Sequence, residues 1–64
     1  MTLEEIIKAQ IGFEMENSKL HNQMAIDEEG SEDADWFKTI ATAEIHAANV
    51  LRHVLREAEF QGLI

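Results

Sequence analysis

Apolar residues recur three and four positions apart through two long stretches of this chain. In the first, Leu3, Ile6, Ile7, Ile11, Phe13, Leu20 and Met24 project onto one broad sector of a helix. In the second, Phe37, Ile40, Ala41, Ala47, Ala48, Leu51, Val54, Leu55 and Ala58 do the same. No proline interrupts either stretch. The pattern predicts an all-α antiparallel two-helix hairpin: a helix over about 2–26, a turn over about 27–33 and a helix over about 34–60. Thr2 and Glu5 have capping-box spacing, which sets the first helix start at residue 2. In the acidic segment from Asp27 to Asp33, Gly30 can close the first helix, and Ser31 or Asp33 can cap the second. Gly62 is the stop signal beyond the second helix.

Each apolar sector is wider than one neighbouring helix can cover. A hairpin of 64 residues with no cysteine has neither the size nor the disulfides to stabilise itself, which leaves self-association. The expected assembly is a homodimer or higher oligomer built as a four-helix bundle, with Phe37, Ile40, Leu51, Val54 and Leu55 in the interface.

Polar residues stand inside these sectors. Gln10, Glu14, Asn17 and His21 occupy the centre of the first, and Glu44 is the one charge at the centre of the second. A carboxylate taken out of water costs several kcal/mol unless it is paired, protonated or bound to a cation. With the turn centred near Glu29, Glu14 and Glu44 fall at one height of the hairpin, and His21 falls opposite Phe37. Two readings follow. One is a carboxylate-bridged metal site at Glu14 and Glu44. The other is a hydrogen-bonded polar core layer of Gln10, Asn17 and His21 around the two glutamates, of the kind that fixes register in helical assemblies.

The segment Phe37-Lys38-Thr39-Ile40-Ala41-Thr42-Ala43-Glu44-Ile45-His46-Ala47 resembles the second helix of ferritin-like and rubrerythrin-like proteins, with its aromatic, small residue, glutamate and histidine. Glu14 lies where the first-helix glutamate of such a half-ferritin hairpin stands, and Ala25 to Gly30 resembles the end of a rubrerythrin first helix. The resemblance implies binding of iron, manganese or zinc through Glu14 and Glu44. It departs from the family at one ligand. The histidine should stand three residues after the glutamate, where Ala47 is found, and His46 is about 200° around the helix from Glu44.

A net charge of −8 argues against direct contact with nucleic acid and against anionic membrane surfaces. It leaves basic protein surfaces, metal cations and proteins that normally grip nucleic acid as partners. No stretch has the length of a membrane span, and the first residues have no leader pattern, so a cytoplasmic location is expected. No nucleophile with a positioned base and no phosphate-binding loop is visible. The expectation is a small, acidic, oligomerising protein of regulator or inhibitor type that acts by macromolecular binding and not as an enzyme. The alternative is a degenerate half-ferritin-like metal-binding protein.

Overall fold

A computed structural model describes all of residues 1–64. The chain forms two helices, α1 (Leu3–Asp27) and α2 (Glu32–Phe60), packed side by side as an antiparallel hairpin 48 Å long, 19 Å wide and 10 Å thick. Thr2 caps α1: its hydroxyl accepts from the Glu5 amide at 3.1 Å, and the Glu5 carboxylate accepts from the Thr2 amide at 3.3 Å. The connection is shorter than the sequence pattern predicts, because α2 already starts at Glu32. Glu32, Asp33 and Asp35 lie in its first turn, where the unpaired amides of a helix N-terminus favour negative charge. Ser31 holds the N-cap position, yet its hydroxyl donates to the Glu28 carbonyl at 2.7 Å and so ties the turn instead of the helix. Gly30 turns the chain with φ +91°. At the far end Gly62 is left-handed, with φ +73°. The amides of Gly62 and Leu63 donate back to Glu59 and Ala58, a Schellman stop that puts Leu63 beside Ala58.

The buried positions of the seam between the helices are all small residues. Only Ser18, Ala25, Ala34, Ala41 and Ala48 are buried, and within each helix they stand seven residues apart. Positions seven apart nearly eclipse on a helix, and a seven-residue repeat is the geometry of two helices coiling around each other. Alanine and serine let the two backbones approach closely enough for the Ser18 hydroxyl to donate to the Ala41 carbonyl across the seam, at 3.0 Å. Alternating with this row is a second one, Ile7, Glu14 and His21 on α1 against Phe37, Glu44, Leu51 and Ala58 on α2, and its members are half-covered. No large side chain is fully buried.

Neither helix is long and apolar enough to cross a membrane.

Candidate interaction surface

The seam uses only one edge of each apolar sector, and the rest is left uncovered. In an antiparallel pair, the rows flanking the seam on a given side of one helix meet the equivalent rows of the other, so the hairpin has two distinct faces. On the front, α1 carries Leu3, Ile6, Phe13, Leu20 and Met24, and α2 carries Trp36, Ile40, Ala43, Ala47, Val50 and Val54. Ile6, Phe13 and Leu20 repeat every seven residues along the front of α1 and remain about half exposed, with Phe13 at 60%. Across from them Trp36 is 62% exposed and Val50 48%. These exposed apolar side chains line up along most of the hairpin instead of being scattered singly over its surface.

The back is different in kind. It carries every Lys and Arg of the chain: Lys8 and Lys19 from α1, Lys38, Arg52 and Arg56 from α2. Met15, Ile45 and Ile26 form a narrow apolar strip among them, and Gly12 leaves open space above the backbone. Ten of the thirteen carboxylates collect at the two ends of the hairpin. Asp27, Glu28, Glu29, Glu32, Asp33 and Asp35 crowd the turn end, and Glu4, Glu5, Glu57 and Glu59 the other.

The polar residues of the sector centres do not form one connected layer. Glu44 is engaged by His21, whose Nδ1 lies 2.6 Å from Oε1. The carboxylate can only accept, so Nδ1 carries the hydrogen. The imidazole also stacks on Phe37, at 6.3 Å between ring centroids and 9° between planes. His21 thus sits between Phe37, at its own height, and Glu44, one seven-residue step further along α2. The sequence pairing placed His21 opposite Phe37 alone, because matching heights residue to residue ignores the interleaving of coiled helices. Glu14 occupies a seam-row position level with Glu44, but its carboxylate accepts from Gln10 Nε2 at 3.2 Å along its own helix. Asn17 flanks the seam on the front, half-covered and without a side-chain hydrogen bond. Every buried side-chain nitrogen and oxygen has a partner.

Nowhere do three or more His, Asp or Glu side chains converge as a metal-ion cage. His46 and His53 lie on the outer surface of α2, away from Glu44. Of the residues singled out in the sequence, Phe37, Leu51 and Leu55 line the seam half-covered, Ile40 flanks it, and Val54 is exposed on the front. Two features escaped the sequence reading. The seven-residue spacing of Ser18 and Ala25, and of Ala34, Ala41 and Ala48, distinguishes the hairpin seam from the remainder of the sector. The helical positions of the five cations put them all on one side. Both signals are present in the bare sequence.

Comparison of the chain with protein-family models, with curated proteins and with solved structures finds no match. The resemblance to the ferritin-like helix pair rests on the residues quoted above.

Proposed function

We propose that this protein is a non-enzymatic, self-associating helical hairpin that works by binding another macromolecule, as a small regulator or inhibitor. Its front face takes a second copy of the chain, which makes a homodimeric four-helix bundle. The observation that carries this reading is the exposed apolar front from Leu3 to Met24 and from Trp36 to Val54, on a hairpin whose buried residues are all alanine or serine.

Size favours a second copy as the occupant. A face 48 Å by 19 Å is comparable to the ~800 Å² per partner of a standard stable interface. Energetics point the same way. Burying an alanine side chain contributes a fraction of what a Leu or Phe contributes, so the five buried residues cannot offset the chain entropy of 64. Association therefore supplies the missing core, and folding and dimerisation are coupled. A twofold axis lying in the plane of the front face and crossing the helices at mid-height would bring Gln10 of each chain near Asn17 of the other, where amides can pair with amides. A lipid surface is a poor occupant, since all five cations point to the opposite side and none can reach headgroups beside the apolar residues.

In the dimer the six carboxylates of each turn end remain outside the apolar interface, in position to attract a basic protein surface. The test is a front-face charge, Phe13→Asp with Val50→Asp. Both side chains are exposed in the single hairpin, so the seam is untouched. The variant should lose self-association and, with it, cooperative helical folding, and a variant carrying Thr42→Asp on the back should keep both. Light scattering that gives one molar mass for all three proteins contradicts the reading.

A further inference from the structure

The chain has thirteen carboxylate side chains and five cations, yet four of the five cations make no ion pair. Lys8 pairs with Glu4, four residues before it, at 3.0 Å. Lys19, Lys38, Arg52 and Arg56 have no acid four residues away; Glu16, Asp35 and Glu59 stand three residues from Lys19, Lys38 and Arg56, but none of them forms an ion pair. Between the levels of Lys8 and Lys38 the back face has no carboxylate at all. An acidic protein thus keeps an uncompensated cationic strip, with Met15 and Ile45 running along its middle.

We propose that this back face is a docking surface for a short, acidic, amphipathic helix of a partner protein. The partner's apolar residues lie over Met15 and Ile45, in the space that Gly12 leaves open, and its carboxylates meet Lys19 and Lys38 on one side of the centre and Lys8 and Arg52 on the other. Lys38 and Arg52 are fourteen residues apart, or about 21 Å along the axis, which matches about four helical turns of a partner. The back face continues to the turn end, where a pocket of about 300 Å³ is floored by Ala25 and Ala34 and edged by Ile26 and Lys38. Glu29 and Asp35 also line it, so this pocket marks the acidic end of the strip and not a seat for the partner's carboxylates.

The same layout selects against longer polyanions. Glu5 and Glu59 bound the strip at one end and the carboxylates of the turn at the other. A nucleic-acid duplex or an anionic bilayer reaching past about 20 Å would meet these acids, whereas a helix whose charge is confined to four turns would not. This inference rests on the reading of the chain as a binding protein; it needs the folded hairpin, whether that hairpin is single or dimeric.

The probe is a synthetic three-heptad helical peptide with leucine at the two core positions of each heptad and glutamate at the flanking positions of its central fourteen residues only, a charged length of about 21 Å whose like charges oppose pairing with itself. The full chain should bind this peptide, and binding should weaken as salt rises. Lys19→Gln with Lys38→Gln should weaken it at least about tenfold, with helix content and molar mass unchanged. Met15→Gln should weaken it as well. Equal binding to wild type and to the Lys19/Lys38 variant overturns the proposal. So does equal binding of a scrambled peptide of the same composition, tighter binding of a 14-base-pair duplex, or no peptide binding by the wild-type chain. If peptide binding depends on Lys19 and Lys38 while the front-face variants leave molar mass unchanged, the docking surface stands and the dimer falls.

Discussion

His21 on α1 and Glu44 on α2 meet across the hairpin seam, with Nδ1 of the imidazole 2.6 Å from a carboxylate oxygen and the ring stacked on Phe37. This is the one side-chain-to-side-chain hydrogen bond joining the two helices. Both side chains keep some solvent contact, at 24% and 15% exposure. The contact acts less as a source of stability than as a register key, because a one-residue slip of either helix would strand the carboxylate against apolar neighbours.

A double-mutant cycle measures that coupling. Glu44→Leu and His21→Leu should each destabilise the fold by roughly 1–2 kcal/mol, since each leaves a half-buried polar partner without its hydrogen bond. The double variant should cost less than the sum of the two, by about 1 kcal/mol. Additive effects in chemical denaturation would show that the two side chains do not act together.

The fully buried positions of the seam are close-packed. Ala48 is completely buried and Ala41 nearly so, at 1%. Ala41→Leu would push the helices apart and break the contact of Ser18 with the Ala41 carbonyl, at a cost of about 1–3 kcal/mol. Ser18→Ala, which removes one hydrogen bond and leaves the spacing intact, should cost only about 1 kcal/mol. Denaturation midpoints rank the two, and an Ala41→Leu variant as stable as Ser18→Ala would mean that the seam is not close-packed.

The hairpin was legible in the sequence for plain reasons. Two long periodic segments, the Thr2 and Glu5 capping pair, a turn containing Gly30 and no proline leave little room for any other chain path. The division of labour within the apolar sector was harder to read. Leu, Ile and Phe dominate any count of hydrophobicity, so the eye goes to Phe13, Leu20 and Leu51, whereas the hairpin closes on Ser18, Ala25, Ala34, Ala41 and Ala48. Small residues signal closeness between backbones, and only their seven-residue spacing gives that away. The pairing of His21 with Glu44 was hidden for a different reason. Interleaving lets a seam residue touch two neighbours across the seam, and matching heights one to one finds only the first of them.

Charge at the helix ends gives a further expectation. The last turn of α1 contains no basic residue, and Glu28 sits at its C-cap, where the unpaired carbonyls disfavour negative charge. Glu28→Lys should stabilise the protein by about 0.5 kcal/mol at low salt, and the gain should shrink as salt screens it. Glu32→Lys, in the first turn of α2, should do the opposite. Melting curves of both variants at low and high salt decide the matter, and two shifts of the same sign would rule out this account of the turn.

Front-face truncation tests the coupling of assembly to folding. Leu20 is 56% exposed in the single hairpin, so Leu20→Ala removes little that α1 and α2 use between themselves. In a dimer the same side chain enters the core, and its loss should cost each chain about 2 kcal/mol or more. A stability change below about 0.5 kcal/mol would place Leu20 outside any interface.

The central claim is that this hairpin completes its core with a second copy of itself. The most direct measurement is the thermal unfolding midpoint, followed by circular dichroism from low-micromolar to near-millimolar chain concentration. If folding and dimerisation are coupled, the midpoint rises steadily with concentration, and sedimentation equilibrium at the upper end gives twice the 7.3 kDa mass of the chain. A cooperative transition at one fixed temperature, with a sedimenting mass of a single chain throughout, would contradict the account.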